Sequence, residues 1–266
     1  MVRHCIFCRS RTGLSLEHVW PEWIWKLSHK KPQKERYTIE RFGTHIERQS
    51  RKAPSLDQTT RVVCEPCNNR WLSRLENELA KPVVSRFVVP QSSPISRISI
   101  TDQVALVAWA AKTAFVLDYT TVTPNKHRHF TQDERQEYAD TFVPPIGMSI
   151  WIADIVRETR RVVHSSVTNI ASLATVDAPE LKYAGQLSTF HVGSLVFQTL
   201  HLRGVREPSP LPPDDFILDD HWNQVVRRIW PSGEDDIPWP PKFYFNEDTL
   251  KNFEERLGKN PPVKNS

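Results

Sequence analysis

All four cysteines of this chain fall within its first 67 residues, as the pairs Cys5-x-x-Cys8 and Cys64-x-x-Cys67. Two thiolates three positions apart on a tight turn can reach one metal ion at about 2.3 Å, and two such pairs supply the four-sulfur tetrahedron that structural zinc prefers. Two disulfides are one alternative, but they need an oxidising compartment. Two redox-active C-x-x-C motifs in one short segment would be a coincidence. The spacing therefore predicts a structural zinc ion held by Cys5, Cys8, Cys64 and Cys67.

The long gap between the two pairs, residues 9–63, is too large for a plain zinc ribbon, so further structure must lie within it. Apolar and polar residues alternate over 14–18, which is typical of a short strand. A second strand-like run, residues 60–63, leads into the second cysteine pair. Apolar residues at helical spacing come next, and they predict an amphipathic helix that begins at Asn68 or Asn69.

Three motifs in this region resemble those of HNH endonucleases. They are Cys5-Ile-Phe-Cys8, Glu17-His18-Val-Trp-Pro21 and Cys64-Glu-Pro-Cys67-Asn68-Asn69-Arg-Trp71. The likeness covers roughly the first third of the chain, and the motifs are specific in combination rather than singly. The resemblance implies a treble-clef-like ββα unit that holds one divalent cation and is braced by structural zinc.

The resemblance also implies a role for each of three polar residues. His18 is the general base that takes a proton from the attacking water, Glu17 is a metal ligand where the family more often has Asp, and Asn68 completes the metal site. The chemistry fits these residue types, because imidazole titrates near neutral pH and carboxylate and amide oxygens suit Mg²⁺ or Mn²⁺. Neighbouring strand residues point to opposite faces, so Glu17 and His18 can share one site only if the strand bends or ends there.

The chain departs from the family pattern at the middle asparagine, which normally lies a few residues before the third cysteine. Residues 57–60 read Asp-Gln-Thr-Thr, and Gln58 or Thr59 would have to hold the catalytic loop in its stead. Two functions are therefore predicted. The first is a metal-dependent endonuclease that hydrolyses DNA phosphodiesters. The alternative is a catalytically inactive, zinc-stabilised nucleic-acid-binding or adaptor protein.

Positive charge is concentrated in the N-terminal third. Residues 1–90 contain 17 Lys and Arg against 9 Asp and Glu, whereas the remainder contains 18 against 22. This imbalance favours a polyanion partner, although a basic surface that serves only solubility is an equal alternative. We expect the partner to be nucleic acid, most simply double-stranded DNA, contacted by Arg61, Arg70 and Arg74.

Residues 90–94 separate two predicted domains, 1–89 and 95–266. In the second domain helix patterns, one of them beginning with a capping box at Thr131 and Glu134, precede strand patterns. This order predicts an α+β fold with a largely antiparallel sheet. The remaining predicted elements are a hairpin over 36–48 turning at Gly43, helices over 101–119 and 131–142, strands over 148–156, 161–174, 183–192 and 195–202 with a turn at 193–194, and helices over 219–229 and 247–257. An unstructured, solvated loop is an equal alternative to the hairpin.

Other classes of protein are disfavoured. The longest apolar run, residues 104–117, is shorter than a membrane span and holds Lys112. No secretory leader is evident at the N-terminus, so we expect a cytoplasmic protein without a membrane partner. The role of the second domain is left open, with a protein partner as one option. Four tryptophans are expected in the core of the first domain rather than stacked on bases: Trp20, Trp23, Trp25 and Trp71.

Overall fold

The computed structural model combines helices with four β-sheets, which confirms the α+β class. The residues that the structure describes are 4–11, 13–28, 34–41, 47–54, 59–89, 94–120, 128–156, 162–174, 182–204, 220–231 and 235–259. Gln58 and Gly43 lie outside these ranges.

Two short strands form the first sheet, as predicted. Strand β1 (Leu14–His18) is followed by helix α1 (Glu22–Ser28), and β1 pairs in antiparallel fashion with β4 (Thr59–Cys64). Strands β2 (Lys34–Arg41) and β3 (Glu47–Pro54) pair with each other, which confirms the predicted hairpin and extends its second strand. The register of β1 on β4 shifts near the end of β1, where two steps along β1 oppose three along β4. Such a bulge bends a strand.

A helix begins directly after β4 and runs over residues 65–88; it is called the long helix below. It comprises α2 (Glu65–Cys67), π-helical segments at Asn68–Leu72 and Leu75–Ala80, and α3 (Lys81–Val88). The predicted start at Asn68 or Asn69 is therefore late by three or four residues. Proline suits the first turn of a helix because no intrahelical hydrogen bond is required there, and a proline stands in that turn.

The second half begins with strand β5 (Arg97–Ile98) and two helices, α4 (Ile100–Thr120) and α5 (Gln132–Thr141). The helix expected from Thr101 is capped instead by Ser99, whose Oγ accepts a hydrogen bond from the Asp102 backbone N–H at 3.1 Å. The capping box predicted at the start of α5 is confirmed.

Four predicted strands form most of a five-stranded antiparallel sheet. They are β6 (Met148–Asp154), β7 (Val163–Ala174), β8 (Lys182–Val192) and β9 (Leu195–Gly204), and the fifth strand is β10 (Arg227–Trp230). The strand order is β10-β6-β9-β8-β7. The turn between β8 and β9 lies at the predicted glycine and serine.

The C-terminal elements agree with the sequence only in part. The helix expected over 219–229 is wrong beyond its first turn, because α6 (Asp220–Asn223) ends early and the next residues pair with the sheet as β10. Hydrogen bonding to the edge of β6 outweighs the local helical pattern there. Strand β11 (Ile237–Pro238) pairs with β5, and α7 (Glu247–Lys259) matches the last predicted helix.

One hydrophobic core runs through both predicted domains, with α4 at its centre. The Trp109 ring of α4 contacts the rings of Phe190 and Phe197 in the large sheet at 6.0 and 5.5 Å between centroids. On the N-terminal side, Phe7 contacts Phe115 of α4 at 6.3 Å, and Trp20 contacts Phe190 at 5.8 Å. Independent folding of residues 1–89 and 95–266 stays a prediction.

Helix α4 is long and apolar enough to cross a membrane by length and composition, but 78% of its most apolar stretch is buried inside the protein. A core helix passes the same test. The prediction for the four tryptophans is confirmed, since Trp20 and Trp23 are buried and Trp25 and Trp71 are partly buried against the core.

Candidate functional site

The four cysteines converge at one end of β1. Their sulfur atoms all lie within 4.8 Å of one another, and none forms a disulfide. The Sγ atoms of Cys8 and Cys64 are 3.4 Å apart. A zinc ion with bonds of about 2.3 Å needs sulfurs about 3.8 Å apart, so the cluster is compatible with a tetrahedral site. The four cysteines are therefore a candidate metal site of the predicted composition.

Backbone hydrogen bonds hold the two cysteine turns together. The Cys64 N–H donates to Cys5 Sγ at 3.3 Å, and the Ile6 N–H donates to the carbonyl oxygen of Val62 at 2.8 Å. The second turn is tied to Gly13, whose carbonyl accepts the N–H of residue 65 at 2.8 Å. Gly13 has a φ of +65°, a conformation that glycine adopts without strain. The sulfur positions are thus set by local turns and by β4.

The second half of the chain supports this cluster from outside. In α5, the Gln132 Nε2 and Arg135 Nε groups donate to the carbonyl oxygen of Ile6 at 2.8 and 3.2 Å. Phe7 packs edge-on against Trp71 at 4.8 Å between ring centroids. The first cysteine turn is consequently held by α5 and the long helix as well as by β4.

Burial and hydrogen bonding shift the pKa values of Cys8, Cys64 and Cys67 in different directions. Burial raises the pKa of Cys64 to about 11, and it raises the pKa of Cys67 further. Burial opposes ionisation of Cys8 too, but hydrogen bonds from the backbone at Ser10 and from neighbouring thiols lower its pKa overall. Cys64 and Cys67 resist ionisation, and a bound cation would favour their conversion to thiolates.

A cleft of about 650 Å³ opens at the other end of β1. Its polar lining comes from β1, α1 and the long helix and includes Glu17, His18, Lys26, Asn68, Glu76, Asn77 and Lys81. All three residues predicted to be catalytic therefore line one cleft. Glu17 is 3% exposed whereas His18 is exposed, so the bend and end of β1 let two neighbouring residues reach the same cavity.

Glu17 has a partner that the sequence motifs do not predict. The Lys112 Nζ atom of α4 lies 2.5 Å from Glu17 Oε1 and 2.6 Å from Glu76 Oε1. It also donates to the carbonyl oxygen of His18 at 3.3 Å. Lys112 is fully buried. A buried ammonium between two carboxylates forms an ion triad, which is called the Lys112 triad below.

The charges of the Lys112 triad depend on one another. Burial disfavours the ammonium, but the carboxylates of Glu17 and Glu76 outweigh it, and the pKa of Lys112 lies above its ordinary 10.5. For Glu76, burial outweighs the attraction of Lys112, and its pKa is raised above the ordinary 4.5. Lys112 is therefore charged throughout the physiological range.

Asn68 lies at the mouth of the cleft in the first π-helical segment. Its Nδ2 group donates to Ser15 Oγ at 3.1 Å and approaches the carbonyl oxygen of Leu16 at 3.4 Å. Both partners belong to β1. The side chain thus links the long helix to the strand that carries Glu17 and His18.

The predicted DNA contacts are spread over the same unit. Arg61, Arg70 and Arg74 are all exposed. Arg74 forms an ion pair with Glu78 one turn further along the helix at 3.5 Å. Arg61 lies on β4, and Arg70 lies on the first turn of the long helix after Cys67. Exposed arginines could contact DNA, but exposure alone does not demonstrate a contact, so the DNA contacts stay predictions.

Sequence reasoning missed Lys112 and Glu76. A lysine inside the longest apolar run is a signal, because a charge in a buried helix requires a partner. Nothing in the sequence identifies that partner, since 36 residues separate Glu76 from Lys112 and 95 separate Glu17 from it. Asn77 and Lys81 also line the cleft but belong to no sequence motif, so the sequence does not single them out.

Among the described residues, the four cysteines form the one group of three or more His, Cys, Asp or Glu side chains that could hold a metal ion. Comparison with protein-family models, with curated proteins and with solved structures finds no match for this chain.

Proposed function

We propose that this protein is an HNH-type endonuclease that hydrolyses DNA phosphodiesters, with a structural zinc ion at the four-cysteine cluster and His18 as general base. The observation that carries the proposal is the single cleft lined by Glu17, His18 and Asn68. Asn68 is about 50 positions from the other two in sequence, so their convergence comes from the fold. The resemblance to HNH motifs assigns chemistry to these three positions.

The chain's own residues supply two parts of the reaction. The exposed imidazole of His18 can accept a proton from a water that attacks phosphorus. Lys26 and Lys81 line the cleft, so a phosphate there meets ammonium groups, although Lys26 is shared with Glu22 at 2.9 Å. Positive charge beside a phosphate stabilises the charge that develops on its oxygens.

The cysteine cluster fits structural zinc in number, type and spacing of donors. The Mg²⁺ or Mn²⁺ implied by the resemblance fits less well. When bound, such a cation would stabilise charge on the phosphate oxygens. Asn68 has an amide oxygen to offer, but Glu17 is already paired with Lys112. We therefore assign no step to this cation.

A nicking assay on supercoiled plasmid, with Mg²⁺ or Mn²⁺ and with each withheld, tests the proposal. We expect cleavage by the wild type and a loss of on the order of 100-fold or more in His18→Ala, the range for a removed general base. His4→Ala is the matched control, because His4 is exposed and lies away from the cleft. Equal cleavage by both variants, with their zinc content and circular dichroism unchanged, would refute the role of His18.

A second candidate function is nucleic-acid binding without cleavage. Two observations favour it, namely the Lys112 triad around Glu17 and the absence of asparagine over residues 57–60. Salt-dependent binding of duplex DNA with no nicking in any divalent metal would support this candidate. Cleavage that depends on His18 would exclude it.

A further inference from the structure

Two carboxylates that line the cleft, Glu17 and Glu76, are bonded to a buried ammonium group that is saturated by the protein itself. Lys112 Nζ has three close oxygen neighbours, namely Glu17 Oε1 at 2.5 Å, Glu76 Oε1 at 2.6 Å and the carbonyl oxygen of His18 at 3.3 Å. An ammonium has three N–H donors, so these oxygens use all of them. Lys112 is 0% exposed, and water does not compete for the same bonds.

The position of this ammonium conflicts with the metal role implied for Glu17. Divalent cations such as Mg²⁺ bind where several hard oxygen ligands converge. The oxygens of Glu17, Glu76 and His18 do converge, but on a positive charge that is already present. Here that charge belongs to α4, an element outside the region that resembles an HNH unit. Two cations within a few ångströms would repel strongly in a buried site. Glu17 Oε1 is already bonded to Lys112, so a divalent cation on the same carboxylate would lie close to the ammonium and be repelled by it.

We propose that the Lys112 ammonium takes the place of a divalent cation on the carboxylate side of the cleft, so that Glu17 supports the end of β1 rather than binding a metal. This inference depends on the proposed function in one respect, because it assumes that the cleft is the reaction site. Lys112 is then a positioning residue. It ties the Glu17 carboxylate and the His18 carbonyl to α4, and these bonds fix where the His18 imidazole is presented.

The first test is a Mn²⁺ titration of the full, zinc-loaded chain, followed by electron paramagnetic resonance without DNA. Wild type and Glu17→Gln should bind Mn²⁺ with the same stoichiometry and affinity. Glutamine keeps the length of the side chain and an oxygen that can accept from Lys112. A Mn²⁺ ion that the wild type binds and that Glu17→Gln loses, with zinc and fold retained, would overturn the proposal.

The second test removes the ammonium. Lys112→Met should gain Mn²⁺ affinity on the order of tenfold or more, because two carboxylates then face the cleft without their counter-charge. A purely structural role would not tighten metal binding. Glu76→Gln is the control, since it keeps Lys112 and should show no gain. A folded Lys112→Met with the Mn²⁺ affinity of the wild type would count decisively against the inference.

A third comparison keeps the test valid if Lys112→Met does not fold. The double variant Lys112→Met/Glu76→Gln differs from Glu76→Gln only at residue 112 and buries one carboxylate instead of two. It should bind Mn²⁺ more tightly than Glu76→Gln, and equal affinities would overturn the proposal. Plasmid nicking is measured separately. If the wild type does not nick DNA in any divalent metal while Lys112→Met gains Mn²⁺ affinity, the proposed function is refuted and this inference still stands.

Discussion

Ionisable side chains cluster at both ends of strand β1, and the two clusters differ in whether the protein itself provides a counter-charge. At the Leu14 end four cysteine sulfurs converge, and at the His18 end, about 13 Å away at 3.3 Å per residue, two carboxylates converge. The sulfur end is a group of four thiols that could hold a metal ion, whereas the carboxylate end is paired with the buried Lys112. The first end is a candidate site for a cation from solution, and the second is paired with a cation that belongs to α4.

This difference shows why acidic residues at motif positions do not by themselves make a metal site. Buried ionisable groups must be compensated by a partner, by a metal or by loss of their charge. At the cysteine cluster, burial raises the pKa of two thiols, and a metal is the compensation that their spacing permits. At the cleft, the ion pair with Lys112 compensates Glu17 already.

The largest expected effect concerns the cysteine end. Removal of the metal with a strong chelator, or the substitution Cys64→Ser, should lower the free energy of unfolding by about 5 kcal/mol or more, because metal binding and folding of such a unit are coupled. Elemental analysis and thermal unfolding measure it, and one zinc per wild-type chain is expected. Chelation should not destabilise Cys64→Ser further. If the melting temperature of the wild type is unchanged after the metal is removed, the cysteine cluster does not depend on a bound cation for its stability.

The next effect concerns the carboxylate end. Lys112→Met should cost about 3–5 kcal/mol at pH 7, because removal of one member leaves buried carboxylates without a partner. Lys81→Met is the matched control: Lys81 is half-buried in the same cleft, and no change beyond about 0.5 kcal/mol is expected. Chemical denaturation measures both. Equal losses in the two variants would contradict a special role for Lys112.

The deficit of Lys112→Met should depend on pH in a defined direction. Burial raises the folded-state pKa of Glu76 above its ordinary 4.5, and loss of the Lys112 charge raises it further. A carboxyl group with a raised folded pKa contributes stability below its unfolded pKa and loses that contribution as pH rises through the folded pKa. The stability gap to the wild type should therefore shrink as pH falls from 7 towards 4.5. A gap that widens on acidification would contradict this assignment.

A smaller effect compares two glycines of positive φ, one beside the cysteine cluster and one in the turn between β8 and β9. Gly193 has a φ of +59°, and a Cβ at this position would overlap the carbonyl oxygen of Phe87 in α3. Gly193→Ala should therefore cost about 2–4 kcal/mol. Gly13, beside the cysteine cluster, also has a positive φ, but a Cβ there would meet no atom within 4 Å, so Gly13→Ala should cost only about 1–2 kcal/mol. Thermal denaturation measures both, and a reversed order would contradict the packing of the β8–β9 turn on α3.

The smallest effect concerns the exposed arginines. Arg70→Ala should leave stability within about 0.5 kcal/mol and reduce the salt dependence of DNA binding by about one unit of slope. Arg74→Ala should have a weaker effect, because Glu78 already shares the Arg74 charge. Fluorescence anisotropy with duplex DNA at several salt concentrations measures this. If the salt dependence of DNA affinity is unchanged in both variants, the long helix does not contact DNA as predicted.

Elements with a strong local signal were predicted well. The strands β1 and β4, the capped helix α5 and the turn between β8 and β9 all follow from alternation, capping chemistry or turn residues close in sequence. The helix expected over 219–229 was predicted wrongly in most of its length, because the edge of β6 offered those residues a strand partner. Local patterns carry no information about which edge lies nearby.

The candidate site divides in the same way. Cys5, Cys8, Cys64 and Cys67 could be assigned to one cluster because paired spacing is the geometric requirement of a tetrahedral sulfur site. The shared location of Glu17, His18 and Asn68 follows the family resemblance, and the cleft is consistent with it. The partner of Glu17 could not be predicted, because its choice depends on how α4 packs across the end of β1.

Short-range spacing and periodicity predict the sulfur cluster, the α+β class and the strand that carries Glu17 and His18. The contact that places Lys112 of α4 between Glu17 and Glu76 arises only in the folded chain. The physical reason is that a buried charge needs a counter-charge within a few ångströms, and distances of that kind between distant residues exist only after the chain has folded.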